Sequence, residues 1–357
     1  LTALGYPAYG FSIRYEYGLF KQKIVDGWQT EMPDVWLPGG EVWLIPRSDR
    51  SLKVRFGGHV EEYFENGQMK VKYHNYEEVE AMPYDMLISG GDSKGISTLR
   101  LWRSRSLSTF DMKSFSQGDY AKAVKESAEA EMITKVLYPS DDHYEGKTLR
   151  LKQQYFLVSA SVQNIIDDYI KRYGDINHLC EKVAIHINDT HPALCIPELM
   201  RILMDEHHMS WDDAWYQVTH TVAYTNHTVL VEALECWSED LVARLLPRVY
   251  SIIREINRRY VNELNERYPM EYDKITKMAI IAYDQVRMAN LSVVGSHKVN
   301  GVSALHSDII KRSVFKDFYL DTPEKFSNVT NGIAHRRWLH QSNPRLSNLL
   351  DEICEIR

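Results

Sequence analysis

The residues best suited to chemistry follow apolar runs that read as buried strands. Residues 183–189 form such a run, which ends in Asn-Asp and is followed by Thr190 and His191, so that Asp189 and His191 lie at its end. A second run, 221–228, ends in Thr-Asn-His-Thr and places Asn226 and His227 in the same way. Amides, hydroxyls and imidazoles can each donate and accept hydrogen bonds. These residue types therefore favour a polyol ligand.

Two further runs carry the same signature. Residues 291–301 are interpreted as a strand ending in Gly295, Ser296 and His297, and residues 327–333 as one that reaches Asn331. Ligands of open α/β sheets lie beyond the carboxyl ends of the strands, so the four ends are predicted to converge on one crevice. A phosphate site would need a glycine loop with lysine or arginine, which these ends lack.

Simpler interpretations remain for several of these residues. His186 alternates with its neighbours on one strand face, and a buried histidine with satisfied hydrogen bonds is favoured over a ligand. Asp189 and Thr190 precede Pro192, so helix capping and substrate contact both stay open. A metal held by His186, Asp189 and His191 is disfavoured because no further strong ligand has a matching spacing.

His227 has no capping signature, and a functional role is favoured because it ends a buried run. Asn331, which precedes Gly332, is also compatible with a simple turn. No Ser-His-Asp order and no nucleotide-binding loop is found in the sequence. The pattern alone thus indicates part of an α/β enzyme that handles a sugar or polyol.

The elements that must position these residues change in character along the chain. Residues 40–105 are β-rich and predict a meander at an edge, with Asn66-Gly67 as a hairpin turn. A charged helix is predicted near 119–136, either solvated or packed on a partner subunit. Residues 149–173 predict a long amphipathic helix, and strand and helix patterns then alternate to about 310. This alternation predicts a mostly parallel sheet covered by helices.

Local signals mark helix ends in this second half. Ser210 and Asp213 form a predicted capping box, Ser238 is a predicted N-cap, and Pro247 predicts a break.

Composition narrows the class of protein. The chain has 357 residues, a net charge of −7 and a pI near 6.1, which disfavours nucleic acid as a partner. No apolar run reaches the length of a membrane helix. Four cysteines without a C-x-x-C pair predict free thiols in a reducing compartment. The chain begins without methionine, and we expect it to be a fragment.

The chain closely resembles the α-glucan (glycogen, starch or maltodextrin) phosphorylase family, in a bacterial-type form. The matching segments include YGFSIRYEYGLFKQKIVDGWQ, VLYPSDDHYEGKTLRLKQQYFLVSAS, INDTHPALCIPELMRILMDE, AYTNHTVLVEALECW, GSHKVNGVSALHS and TNGIAHRRWL. The resemblance implies an α/β fold, the Rossmann-like N-terminal domain of a GT-B glycosyltransferase with an added antiparallel β-meander. It places residues 1–335 in the glucan-side domain and 336–357 at the start of the pyridoxal phosphate domain.

The resemblance also implies a reaction. Inorganic phosphate cleaves a terminal α-1,4-glucosidic bond with retention and yields α-glucose 1-phosphate, assisted by pyridoxal phosphate. The lysine that carries this cofactor is expected beyond Arg357, so the chain alone is expected to be inactive. A cytoplasmic homodimer without nucleic-acid or membrane partners is implied. The alternative is a non-catalytic glucan-binding or dimerisation module.

The resemblance assigns roles to individual residues. His227 matches the histidine that contacts the transferred glucosyl unit, and Asp189 the aspartate that supports it. Asn331 matches an asparagine that binds a glucose hydroxyl. Asp142 lies in the entrance loop 140–143, and His191 and Asn226 are further expected substrate contacts. No cofactor-binding or metal-binding residue is expected in this chain.

The sequence also departs from the nucleotide-activated animal members of this family. Asp167 and Asp168 replace an arginine pair that grips phosphate there, which predicts no activation by AMP. Arg254 and Arg258 replace a tyrosine and a glutamine of the animal glycogen-storage site. Glycogen binding at that storage site is therefore not expected.

Overall fold

The computed structural model describes residues 1–37, 42–65, 68–91, 93–334 and 336–354. They form a mixed α/β protein with several sheets. The strands are β1 Tyr9–Ile13, β2 Lys21–Val25, β3 Trp28–Met32, β4 Ile45–Pro46, β5 Leu52–Phe56, β6 His59–Glu65, β7 Gln68–His74, β8 Glu77–Ser89, β9 Ile96–Ser106, β10 Ile185–Asn188, β11 Val222–Thr225, β12 Cys236–Ser238, β13 Ile281–Ala282, β14 Gln285–Arg287, β15 Lys298–Gly301 and β16 Phe326–Asn328.

Helices fill most of the second half of the chain. They are α1 Met112–Ser116, α2 Tyr120–Met132, α3 Tyr144–Tyr173, α4 Leu179–Lys182, α5 Cys195–Arg201, α6 Trp211–Thr221, α7 Glu239–Leu245, α8 Pro247–Arg267, α9 Tyr272–Met278, α10 Met288–Gly295, α11 Ala304–Ile309, α12 Lys316–Asp321 and α13 Pro344–Cys354. Among the described residues, no helix is long and apolar enough to cross a membrane.

A four-stranded parallel sheet in the order β10-β11-β15-β16 lies at the centre of the second half. Asn188 pairs with Thr225, Thr225 with Asn300, and Asn300 with Ser327. All three pairings are parallel, so the carboxyl ends of the four strands lie at one edge. The predicted parallel sheet is confirmed.

One predicted strand is wrong. The apolar run at 291–294 belongs to helix α10, and the strand of this segment begins only at Lys298. Ser296 and His297 therefore precede β15, and the His297 N–H donates to the Val222 carbonyl at the start of β11, 3.0 Å away. These two residues lie at the amino edge of the sheet, opposite the predicted crevice.

The first hundred residues are β-rich, as the alternation predicts. The long strands β8 and β9 pair antiparallel, and β1 adds to β9 in parallel. Strands β6 and β7 form the predicted hairpin, in which Glu65 pairs with Gln68. The predicted turn residues Asn66 and Gly67 lie outside the described residues.

Helix α3 joins this β-rich part to the parallel sheet. It is 30 residues long and begins earlier than predicted, with His143 Nδ1 accepting the Gly146 N–H at 2.9 Å as N-cap. Leu151 and Phe156 are fully buried on it, and Ser161 accepts a hydrogen bond from the Trp102 indole of β9 at 3.0 Å. Helix α3 thus packs on β1 and β5 of the β-rich part and on helices α5 and α7 of the second half.

The predicted helix ends of the second half are largely confirmed. The Ser210 hydroxyl accepts the Asp213 N–H at 3.2 Å and caps α6. Helix α7 ends at Leu245, and α8 begins at Pro247. Ser238 holds the N-cap position of α7, although its side chain makes no capping bond.

Candidate active site

A chain of hydrogen bonds runs across the carboxyl edge of the parallel sheet. The Thr225 hydroxyl donates to Asn300 Oδ1 at 2.8 Å, and the Thr225 hydroxyl oxygen in turn accepts a hydrogen bond from His186 Nε2. His186 is exposed, and this corrects the expectation that it is buried, because β10 is the first strand of the sheet. Burial of the ring nitrogen and the neighbouring His227 lower the pKa of His186.

His227 follows β11 and is exposed beside the end of β10. Its Nε2 lies 2.5 Å from Asn188 Oδ1, which can only accept, so Nε2 carries the proton. Within the described part of the chain the other ring nitrogen has no hydrogen-bond partner, and it can accept a hydrogen bond from a ligand. The imidazole is thus oriented by the neighbouring strand and accessible to a ligand.

Asp189 has a left-handed backbone, with φ of 64°. Aspartate tolerates this conformation better than most residues. The Asp189 N–H donates to the Thr225 carbonyl at 2.9 Å, and its carboxylate accepts the Thr190 N–H at 2.7 Å. Helix α5 begins only at Cys195, after the N-cap Leu194, so Asp189 and Thr190 do not cap it. The backbone therefore turns sharply at Asp189, directly after the last residue of β10.

Asn226 lies in the protein interior. It is fully buried, its Nδ2 donates to the Tyr224 hydroxyl at 3.0 Å, and its Oδ1 accepts from His306 Nε2 at 3.1 Å. His306 Nδ1 accepts the Val302 N–H at 3.1 Å, which fixes the tautomer of this ring. The arrangement favours a structural role for Asn226, in which it connects β11 to helix α11.

Asn331 follows the fourth strand and is exposed. Its N–H donates to the Val302 carbonyl at 3.1 Å, which holds the segment after β16 against the end of β15. Asn328 is held by the Ser307 hydroxyl at 2.7 Å. The structure thus places Asn331 at the same sheet edge as His227 and leaves its side chain accessible.

Asp142 and His191 line a neighbouring cavity of about 690 Å³. Glu235 and Arg150 also line it and join its walls. The Glu235 carboxylate accepts the Thr190 hydroxyl at 2.9 Å and lies 3.4 Å from Arg150, which pairs with Asp141 at 2.8 Å. This network connects the segment after β10 with the predicted entrance loop.

Sequence reasoning missed several residues of this site. Asn300 lies near the end of β15 and accepts the cross-strand bond from Thr225, and the strand-end rule could have identified it. Glu235 and Arg150 lie far apart in sequence and in different elements. No periodic signal marks such a pair, because only the tertiary fold brings them together.

Fold and site together define a mixed α/β protein with a row of hydrogen-bonding side chains at the carboxyl edge of a parallel sheet. Residues 1–356 match the family model for carbohydrate phosphorylases. The chain is 47% identical over 352 residues to the glycogen phosphorylase of Bacillus subtilis, which covers 99% of this chain and 43% of that protein.

Other relatives lead to the same family. The chain is 46% identical over 354 residues to the glycogen phosphorylase of Synechocystis, covering 98% of this chain and 42% of that protein. It is 45% identical over 363 residues to the muscle form of human glycogen phosphorylase, covering 99% and 43%. The chain belongs to the carbohydrate phosphorylase family and spans less than half the length of these relatives.

Proposed function

We propose that this chain is part of an α-1,4-glucan phosphorylase. Its parallel sheet, together with the helices that contact it, would be the Rossmann-like N-terminal domain of a GT-B glycosyltransferase, with the β-rich region as an addition. Residues 1–335 would form the glucan-side domain and 336–357 would begin the second domain. The observation that carries the proposal is the row of neutral amides, hydroxyls and imidazoles along one sheet edge.

The proposed reaction is retaining phosphorolysis of a terminal α-1,4-glucosidic bond, which yields α-glucose 1-phosphate. His227 would hydrogen-bond the transferred glucosyl unit, since its ring is exposed and already oriented by Asn188. Asp189 would place a negative charge beside this pocket as positive charge develops on the sugar. Asn331 would bind a glucose hydroxyl, and Asp142 and His191 would contact the glucan at the adjoining cavity.

Pyridoxal phosphate would supply the phosphate group that relays a proton to the substrate phosphate. The strand-end residues of this chain do not suit a phosphate, because Asn188, Thr225 and Asn331 carry no charge and Asp189 is acidic. We therefore place the cofactor-binding residues outside this chain. The role of the chain's own residues is to bind and orient the glucan.

Two further features support an intracellular dimer. Helix α2 exposes the apolar side chains of Tyr120, Val124 and Met132. It also carries an exposed ion pair between Lys125 and Glu129. Such a mixed face suits a subunit interface. The four cysteines are free thiols, which suits the reducing cytoplasm.

Release of glucose 1-phosphate from maltodextrin by the full-length protein tests the proposed reaction. We expect release that requires inorganic phosphate and that retains the α configuration at the anomeric carbon of the product. An intact, cofactor-loaded protein that releases no glucose 1-phosphate would contradict it. Residues 1–357 would then be a glucan-binding or dimerisation module.

A further inference from the structure

A second cavity, of about 600 Å³, opens at the amino edge of the parallel sheet. Lys298, the first residue of β15, and Lys325, which directly precedes β16, both line it. This edge is opposite to the one that carries His227. The volume lies within the usual range of small-molecule pockets. The cavity is therefore separate from the proposed reaction site and large enough for a ligand of its own.

Aromatic rings form much of the wall of this amino-edge cavity. Trp211 and Trp215 lie one turn apart on α6, Tyr260 lies on α8, and Phe318 on α12. Both indoles and the phenol are only partly buried, so part of each ring faces the cavity. Arg259 lies 4.8 Å over the Trp211 ring and covers one of its faces. Rings of this kind offer flat, apolar contact with polar tips, which suits an amphipathic ligand.

The charged groups of the lining are balanced. Four basic and four acidic side chains line the cavity, namely Arg259, Arg267, Lys298, Lys325, Asp212, Glu263, Asp321 and Glu324. Arg259 pairs with Asp212 at 2.8 Å and Arg267 with Asp321 at 2.6 Å. A phosphate or a polyamine would meet as many like charges as opposite ones. The balance favours a neutral ligand with many hydroxyl groups.

Two side chains of the lining, Ser296 and Lys325, have hydrogen-bonding capacity left within the described part of the chain. Ser296 is fully buried, and its hydroxyl has no hydrogen-bond partner among the described residues. Buried polar groups without a partner are uncommon in folded proteins and call for an explanation. Lys325 Nζ donates to the Val293 and Val294 carbonyls at 3.2 and 3.3 Å, which uses two of its three donors.

A purely structural explanation covers only part of these observations. Lys325 satisfies carbonyls near the end of α10, as basic residues at helix C-termini commonly do. That role does not require the partly exposed indoles on α6 or the unpaired hydroxyl of Ser296. A ligand that packs on Trp215 and accepts from or donates to Ser296 accounts for both.

We propose that the amino-edge cavity binds a neutral saccharide of one or two pyranose rings. The apolar face of a pyranose would pack on Trp215 and Tyr260. Its hydroxyls would pair with Ser296, Lys325 and the carboxylates of the rim. This site does not depend on the proposed phosphorolysis, since it lies at the opposite edge of the sheet.

Fluorine NMR on the full-length protein labelled with fluorotryptophan tests the location directly. The sequence has eight tryptophans, and substitution of Trp211 and Trp215 in turn assigns their signals. We expect maltose to shift both signals saturably. Trp28 lies 79% exposed on the β2–β3 hairpin, and its signal should stay unchanged. Maltose that leaves the Trp211 and Trp215 signals unmoved at saturating concentration would overturn the proposal.

Calorimetry with variants tests the contacts. Trp215→Ala should weaken the affinity for maltose by roughly tenfold, and Trp28→Ala should leave this affinity unchanged. Ser296→Ala should weaken it roughly threefold to tenfold without lowering the Tm of the free protein, because it removes an unpaired hydroxyl. An unchanged isotherm in both Trp215→Ala and Ser296→Ala would refute the site. The site would also be refuted if inorganic phosphate competed with maltose in the unsubstituted protein and this competition disappeared in Trp215→Ala.

The two proposals fail separately in these measurements. Loss of phosphorolysis with maltose still bound beside Trp215 would contradict only the proposed function. Normal phosphorolysis without a Trp215-dependent isotherm would contradict only the amino-edge site.

Discussion

His227 is the residue at which the proposed reaction can be tested most directly. In the full-length protein, His227→Ala should lower kcat/KM for phosphorolysis by roughly tenfold to a thousandfold, since it removes a hydrogen bond to the reacting sugar. Steady-state kinetics with maltodextrin measure this loss. His178→Ala is a matched control, because His178 is exposed and pairs with the nearby Glu181, at 2.9 Å, ahead of α4. Equal activity of His227→Ala and the control would remove His227 from the site.

Asp189 allows the charge to be tested separately from the backbone. Asp189→Asn keeps a residue type that tolerates the left-handed φ of 64° while removing the negative charge. We expect a lower kcat with little change in Tm. A drop in Tm with normal kcat would assign Asp189 to the strand-end turn alone.

His186 should contribute to the pH dependence of stability. Its pKa is lowered in the folded protein, so the unfolded chain binds more protons as the pH falls below about 6.5. The stabilising effect of neutral His186 is therefore present above that pH and is lost below it. Chemical denaturation at several pH values should show a smaller acid loss of unfolding free energy in His186→Gln. An identical slope in the two proteins would contradict this.

The contact between α3 and α5 contains a buried ionic cluster whose removal should be costly. Glu198 is fully buried and accepts from Arg201 at 2.8 and 2.9 Å, from Tyr155 at 2.9 Å and from Ser159 at 2.8 Å. Glu198→Gln leaves the Arg201 charge without its main partner, and should lower the unfolding free energy by roughly 3–5 kcal/mol.

Urea denaturation of the variant and of a matched control measures this cost. Asp308→Asn breaks an exposed pair with Arg312 and should cost at most about 1 kcal/mol. Equal effects of Glu198→Gln and Asp308→Asn would show that the buried cluster does not stabilise the α3–α5 contact.

Some strands and helices follow directly from the sequence pattern, and others do not. The parallel strands β10 and β11 were predictable because their apolar runs are short and end in polar residues, whereas the run predicted at 327–333 lies mostly beyond β16, which ends at Asn328. The run before Ser296 has the same composition but forms α10, since a short apolar run does not distinguish a buried helix from a strand. This one error moved Ser296 and His297 to the wrong edge of the sheet.

Contacts between distant segments were not predictable at all. Glu235 joins Thr190, Arg150 and Gln154 through one carboxylate, and none of these spacings repeats along the chain. The resemblance to phosphorylases predicts that His227 and Asn331 contact the sugar, and both lie at the carboxyl edge of the parallel sheet. It did not reveal that Asn226 is enclosed between Tyr224 and His306.

At the scale of the whole molecule, the surface around Asp168 bears on regulation. The Asp168 carboxylate is paired with Arg50 and accepts from Asn164 at 3.1 Å, so the nearest cation already has an internal counterion. Asp167 adds a second, exposed negative charge. A nucleotide phosphate would be repelled here. Phosphorolysis rates of the full-length protein should therefore not rise with AMP, and saturable stimulation by AMP would contradict this prediction.

Pyridoxal phosphate is expected to bind to a part of the protein other than residues 1–357. Residues 1–357 alone should hold no stoichiometric pyridoxal phosphate after borohydride reduction, as measured by intact mass and peptide mapping. Exposed lysines stay protonated near neutral pH and react poorly as nucleophiles. Lys325 is the lysine to control for, because burial lowers its pKa and it lines the amino-edge cavity.

The full-length protein provides the positive control. We expect one adduct per chain there, on a peptide beyond Arg357. A single stoichiometric adduct on residues 1–357 would contradict the prediction. If Lys325→Met abolished that adduct, the cofactor would be bound at the amino edge of the sheet, and the assignment of cofactor binding to the second domain would be wrong.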